Sequence, residues 1–487
     1  MIRRPITTTT LTALVALVAL VALVALAATL WAAPAGAQPT AGPVGDPTVY
    51  TGTIDGAAYR VEVPARWNGD LLLYSHGYRA PGVDNSATVA PSSPDLSDAL
   101  QVALLERGYA LAGSGYRSTG WAIQDALDDQ VRLLDWFAAQ VGRPRRTYAW
   151  GNSMGGLTSV LLAERNPRRF SGVLALCGDV AGPVAEYNSR LDLAYAIKTL
   201  LAPGSDLQIA RIGDGDANKA KFDLVIGQAL RAGPAGQARL ALANALADVP
   251  GWFDAHADPP TSVADQILAQ YVYDAYVIGA GIWGSGRAEL ERRAGGNPSW
   301  NVGVDYRQVF GRSSQRALVE QAYQAAGLDL DADLATLNAG SRISPDPPAV
   351  AYLAQYGTPL GLTHTPVATM HTTGDGGVPV EHEREYGDRV RRVAGSDNLR
   401  QVYVARGFHC AFSPAEVLAT LDALVRRGTT GSWGDTSPTA MNAAAGAYPA
   451  AARQVWSWWD DSWAPMAPGF VAFHPNRLPR PDEGGRR

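Results

Sequence analysis

Five residues, Gly151-Asn152-Ser153-Met154-Gly155, constrain this chain more than any others. An apolar, β-favouring run, Thr147-Tyr148-Ala149-Trp150, leads into them, and a helical run from Leu157 to Glu164 follows. A strand that turns directly into a helix packs closely against it, so small residues must flank the turn. Gly151 and Gly155 meet that need. The turn lifts the Ser153 hydroxyl clear of the sheet and sets it over the positive end of the next helix. In a chain with 51 glycines the bare pattern G-x-S-x-G says little; the strand before it and the helix after it supply the context. The alternative is a glycine-rich turn with a solvated serine.

Strands and helices alternate around this turn. Val49–Ile54 and Tyr59–Val63 read as a β-hairpin around Asp55-Gly56. Asp70–Ser75 is a short buried strand, Pro91–Pro94 a loop, and Asp95 a cap for a helix through Glu106. Tyr109–Ala112 is the next strand. Ile123–Val141 is an amphipathic helix with Leu127, Val131, Leu134 and Ala138 on one face. Gly172–Leu176 follows as a strand. The alternation stops at Pro183 and resumes at the strand Pro366–His371, the helix Val380–Val393, the strand Gln401–Val404 and the helix Ser413–Arg426. The expected fold is therefore α/β, a mostly parallel sheet flanked by helices. Residues 38–182 and 358–430 form the core, and residues 183–357 a helical cap or lid insertion the size of a domain. Residues 431–487 form a tail with five tryptophans, Trp433, Trp456, Trp458, Trp459 and Trp463, expected to pack on the core, with an aromatic binding surface as the alternative.

Residues 1–37 have the pattern of a secretory signal peptide: Arg3-Arg4, the apolar run Leu11–Leu30, and Ala35-Gly36-Ala37 before Gln38. The apolar run is long for a signal, so an uncleaved membrane anchor is the alternative. Removing the two arginines takes the formal net charge from −5 to −7, which offers no electrostatic case for nucleic acid or for an anionic membrane. Membrane contact is expected only if the signal is retained. The two cysteines, Cys177 and Cys410, predict one disulfide in an exported protein. Both follow parallel strands at their carboxyl ends, which makes their loops neighbours; two buried thiols are the alternative.

A serine hydroxyl becomes a nucleophile when a base takes its proton, and the base needs an orienting carboxylate. Behind a strand–turn–helix serine the partners follow in the order acid, then histidine. Asp375, in Thr373-Gly374-Asp375-Gly376-Gly377, and His409, in Gly407-Phe408-His409-Cys410, satisfy that order at the carboxyl ends of two strands. Of the seven histidines, only His409 follows the last core strand in a Gly-led loop. Asp179 competes with Asp375 as the orienting acid, with Glu381 and Glu383 more remote. Two backbone N–H groups are candidates for an oxyanion hole, that of Met154 and that of Tyr78, in the loop opened by His76-Gly77.

Through these motifs the chain resembles serine hydrolases of the α/β-hydrolase fold over residues 58–180 and 365–427. With Gly108-Tyr109-Ala110-Leu111-Ala112-Gly113 and Trp121 it is similar to secreted esterase-like hydrolases of high-GC bacteria. Tannases and fungal feruloyl esterases put a cysteine directly before the nucleophile. This chain has Asn152 there, and shares only the cysteine after the histidine, Cys410. The extended Gly-Gly oxyanion motif of many lipases is missing. The resemblance implies fold and mechanism rather than substrate.

The expected activity is cleavage of a small-molecule or polymeric carboxylic ester through an acyl-serine. A peptidase or amidase with the same triad, and a non-catalytic binding protein on the same scaffold, are the alternatives. No cofactor and no metal is expected. Asp214-x-Asp216-x-Asn218 opens like a calcium loop, but Lys219 and Val225 stand where glycine and the closing carboxylate belong, so it reads as a capped turn. Gly113-x-Gly115 lacks the rest of a dinucleotide fingerprint. Tyr271, Tyr273, Tyr276, Trp283 and Trp300 are candidates to line a pocket, and most are expected in the core of the insertion.

Overall fold

The chain enters its sheet through a hairpin, β1 (Thr48–Ile54) and β2 (Ala57–Val63), which turns at Asp55-Gly56. Four strands follow: β3 (Asp70–Ser75), β4 (Ala110–Ser114), β5 (Arg146–Asn152) and β6 (Gly172–Leu176). They are buried almost throughout, as apolar strands must be when helices cover both faces. Helices α1 (Asp98–Glu106), α2 (Ile123–Gln140) and α3 (Met154–Arg165) make the crossovers. After the insertion come β7 (Val367–Gly374) and β8 (Leu399–Gly407), and in the tail β9 (Gln454–Ser457), β10 (Ser462–Pro465) and β11 (Phe470–Val471). This is a computed structural model that describes residues 45–91 and 98–481. The signal sequence, the first part of the leader and the expected helix cap Asp95 lie outside the described residues.

The main sheet has nine strands in the order β1-β2-β4-β3-β5-β6-β7-β8-β11. Neighbours from β4 to β8 run parallel, and β1, β2 and β11 are antiparallel additions. Chain order reverses around β3, which has β4 on one side and β5 on the other. The loops leaving β3 and β5 therefore depart to opposite sides, and a crevice opens between them at the carboxyl edge. In register, Ser75 at the end of β3 lies opposite Gly151, which positions Ser153 at that crevice.

The α2 helix buries Ile123, Ala126, Leu127, Gln130, Leu133, Leu134 and Phe137. That stripe is rotated slightly from the one read in the sequence, leaving Val131 and Ala138 half-buried. The α3 helix is buried over its first ten residues, because it packs beneath the sheet edge with no solvent face there.

Between β6 and β7 the chain is helical from α4 (Pro183–Leu201) to a last helix at Pro347–Gly357. This insertion has its own core, in which Phe222 stacks on Trp283 with ring centres 4.6 Å apart and Tyr195 on Tyr306 at 5.3 Å. The same apolar cluster continues into Phe408 and Ala411, after β8, and into Val455 and Trp456 of the tail. Asp214 caps the helix Gly215–Arg231 by accepting from Ala217 N, a capped turn as its sequence reads. The tail is more than a packed appendage. β11 pairs with β8, Phe470 opposite Val404, and Arg480 reaches the buried Asp192 of α4 at 2.8 Å. Trp433 and Trp456 are buried, whereas Trp459 and Trp463 are exposed.

The turn after β5 depends on contact with backbone. A Cβ on Gly155 would lie 1.9 Å from Ser75 O, and one on Gly151 2.3 Å from the same oxygen. No side-chain rotation relieves a clash with a carbonyl of the neighbouring strand. Gly155→Ala is therefore expected to cost about 3 kcal/mol or more, at the upper end for overpacking. Chemical denaturation checks this as a lowered midpoint; a midpoint equal to the parent's contradicts the packing described.

Candidate active site

Ser153 sits between β5 and α3 with φ 56° and ψ −129°. A non-glycine residue adopts that backbone only where surrounding structure enforces it. Here β6 and α3 both grip the turn, with Ser153 N donating to Leu176 O at 2.9 Å and Leu157 N to Ser153 O at 3.2 Å. Met154 opens the helix, so its N–H has no partner one turn earlier in α3. The loop after β3 runs alongside, and a Cβ on Gly77 would lie 3.3 Å from Ser153 Cβ. The next residue is Tyr78. Both backbone N–H groups read from the sequence thus belong to segments that flank Ser153. His76 stacks on Tyr116, 4.0 Å between ring centres, and its Nδ1 lies 2.7 Å from Gly77 O. Burial and Arg79 lower its pKa to about 4, so it shapes the loop as a neutral ring.

Asp375 follows β7 and His409 follows β8. His409 Nδ1 lies 2.7 Å from Asp375 Oδ2 and 2.9 Å from Oδ1. Asp179 makes no such bond to the imidazole, so the structure pairs His409 with Asp375. Burial opposes charge on the imidazole, but the carboxylate and its hydrogen bond outweigh it, and the His409 pKa rises above its ordinary value. The loop that carries His409 is strained on both sides, with positive φ at Phe408 and Cys410. It is braced by Arg406, which donates to Ala411 O at 2.7 Å and forks onto the buried Glu416. His409 Nε2 lies 3.4 Å from Cys410 Sγ, and Ser153 and His409 share a cavity without a direct hydrogen bond. Such bonds commonly tighten only when substrate is bound.

Sequence reasoning gave His371 only a place inside a strand. It lies behind Asp375, with no exposed surface, its Nε2 3.5 Å from Asp375 Oδ2. Nδ1 lies 3.1 Å from Glu383 Oε1 and Nε2 2.9 Å from Val378 O. Both ring nitrogens face acceptors, so both carry protons. Burial works against that charge, but Asp375 and Glu383 prevail and raise the pKa to about 10. Burial also works against the Asp375 carboxylate; His409 and His371 together hold it well below the usual range. A histidine in the middle of a strand gave no sequence signal for this contact. Asp179 lines the cavity, where burial and then Glu186 push its pKa up to about 6.

The cavity has a volume of about 400 Å³. Ser153, His409, Tyr78 and Trp121 line it from the core, and Tyr187, Arg190, Val277, Ile278 and Ile282 from the insertion. The five aromatic residues picked out in the insertion are not on its wall; Tyr273 and Trp283 are buried, and Tyr276 is exposed. Cys177 and Cys410 form a disulfide across 5.4 Å between Cα atoms, joining the end of β6 to the residue after His409. Closing a loop of 233 residues is nominally worth about 4–5 kcal/mol, and it also ties the histidine loop to the sheet. Among the described residues, the one group with metal-ligand spacing is Cys177, His409 and Cys410, whose thiols are consumed by that bond.

The chain is similar to known hydrolases. Residues 93–245 match the family described as "Putative esterase". An o-phthalyl amidase of Xanthobacter agilis is 30% identical over 425 residues, covering 80% of this chain and 89% of that protein. Among solved structures, an esterase from Aspergillus oryzae aligns with a TM-score of 0.36 and 13% identity, covering 79% of this chain and 80% of that one. The 2-hydroxy-6-oxo-6-phenylhexa-2,4-dienoate hydrolase of Rhodococcus sp. strain RHA1 aligns with a TM-score of 0.34 and 12% identity, covering 79% and 99%.

The raised His409 pKa carries a pH consequence. A base must be neutral to accept a proton, so the acid limb of kcat/KM should have its midpoint above the ordinary histidine value of about 6.5. Asp375→Asn removes the charge that raises it. The limb should then move to lower pH, with kcat down by about 10³–10⁴-fold. If Asp179→Asn gives that result and Asp375→Asn does not, the orienting acid is Asp179.

Proposed function

Since the chain belongs to the α/β-hydrolases, in the family of the o-phthalyl amidase, we propose that it is an exported serine hydrolase that cleaves carboxylic esters and amides. The pairing of His409 with Asp375 at 2.7 Å, in a cavity shared with Ser153, carries the reading. Ser153 Oγ attacks the acyl carbonyl while His409 Nε2 takes its proton. The Met154 and Tyr78 N–H groups receive the oxyanion. Collapse breaks the bond to the alcohol or amine, which leaves with the proton held by His409. Water, deprotonated by the same imidazole, attacks the acyl-serine and frees the acid and Ser153.

The name of the amidase favours amide substrates alongside esters, and amines are the poorer leaving groups. A buried imidazolium above its ordinary pKa suits protonation of a departing amine. Export is supported by the Cys177–Cys410 disulfide, since such bonds persist in oxidising compartments.

A fluorophosphonate probe should label the protein at Ser153. Ser153→Ala should abolish labelling and reduce turnover by several orders of magnitude while the fold remains. No labelling of the parent protein, or turnover in the variant near the parent's, would remove the proposal. Matched aryl esters and anilides of one acyl group then rank ester against amide. Export predicts that protein recovered from the culture medium begins at Gln38; an intact N-terminus in the membrane fraction would indicate an anchor instead.

A further inference from the structure

Tyr273 belongs to the insertion and is fully buried, yet its hydroxyl contacts neither the cavity nor the insertion's polar groups alone. It donates toward Gly374 O at 2.7 Å and accepts from Phe408 N at 2.9 Å. Gly374 directly precedes Asp375, and Phe408 directly precedes His409. One phenolic oxygen therefore bridges the two loops that carry the acid and the base. A third contact, 3.2 Å to Trp252 O, ties it to the insertion.

The surroundings fit that bridge closely. The Tyr273 ring lies on Gly376, where a Cβ would come within 2.6 Å of it. Trp252 lies in the same way on Gly374 and Gly407, at 2.9 Å and 2.8 Å. Arg190 of α4 donates to Gly377 O at 2.7 Å and to Gly376 O at 3.2 Å. Every residue from Gly374 to Gly377 except Asp375 is thus met by a side chain of the insertion. Asp375 itself is left to the two histidines and the Val378 N–H.

Tyr273 also opens a π-helical turn, Tyr273–Ile278. Such turns carry an extra residue and are frequent at functional sites. This one sends Tyr273 between the two loops while Val277 and Ile278, further along the same turn, line the cavity. The wall that meets substrate and the bridge that spaces acid from base are one short piece of backbone.

We propose that Tyr273 is a positioning residue for the Asp375–His409 pair, so that the insertion completes the catalytic machinery rather than only covering it. The proposal rests on the serine-hydrolase reading above. Without the hydroxyl, the Gly374 carbonyl and the Phe408 amide lose a shared partner, and the acid and base loops are free to separate. His409 is faced by Asp375 from the β7 loop, by Asp179 from the β6 loop and by His371 from β7, with Arg190 and Glu186 on the insertion wall. Among these, Asp375 contributes most to raising its pKa, so loosening that contact lowers the pKa.

The test is Tyr273→Phe, which keeps the ring on Gly376. Expected are a fall in kcat of at least about tenfold, KM within about threefold, and an acid limb moved to lower pH. The downfield proton resonance of His409 Nδ1–H, which reads the Asp375 contact without turnover, should weaken or broaden. A lower melting temperature with kcat, acid limb and resonance unmoved would make Tyr273 merely structural and overturn the proposal. So would a variant indistinguishable from the parent. If Tyr273→Phe does not fold, hydrogen exchange at Phe408 N–H in the parent decides: protection like that of β8 supports the bridge, and free-loop exchange overturns it. Failure of the parent to take the fluorophosphonate label at Ser153 would instead count against the serine-hydrolase reading, and the resonance still reports on the bridge.

Discussion

Asp375 is a carboxylate with no contact to solvent, and it stays ionised because two imidazoles and a backbone amide surround it. An isolated charge in such a place would neutralise itself. Here His409 donates from one side and His371 lies charged on the other, while Val378 N donates to Oδ1 at 2.9 Å. His371 in turn is anchored by Glu383, which also accepts from Thr369 and Gln401. The acid of the proposed triad is therefore the centre of a buried charge chain that runs from the cavity into the sheet. Removing any one member would leave a neighbouring charge uncompensated, which is costly for a buried pair.

Around that chain, three different kinds of link hold the histidine loop. The disulfide to Cys177 is covalent, the Arg406–Glu416 fork is ionic, and the Tyr273 hydroxyl is a hydrogen bond from the insertion. A loop with positive φ on both sides of its functional residue needs such support, because its backbone would otherwise relax. The nucleophile turn is held differently. There the glycines pack closely against the β3 carbonyl.

The insertion takes on a different meaning in this light. Its helices supply one wall of the cavity, and its core is continuous with Phe408 and the tail. A segment so interlocked with the histidine loop differs from a lid that swings on two hinges. Arg190, Trp252 and Tyr273 all end on the backbone of the acid and base loops, so on the proposed reading movement of the insertion would carry over to the alignment of the proposed triad.

The sequence by itself indicated the core strands and the serine turn, put Ser153, Asp375 and His409 forward in that order as candidates, and made a bond between the two cysteines the expected pairing. These follow from local rules: glycines where strand meets helix, apolar runs where both faces are covered, and functional loops at the carboxyl ends of parallel strands. Sequence also left Asp179 in contention, and the 2.7 Å contact between His409 and Asp375 separates the two. His371 behind the acid, Tyr273 between the loops and β11 on the sheet edge had no local signature. Each acts through a partner set by tertiary packing: Tyr273 meets residues 101 and 135 positions away. A residue's own neighbours in sequence fix its backbone, whereas the charge or hydroxyl it meets across the fold is decided when distant segments pack together.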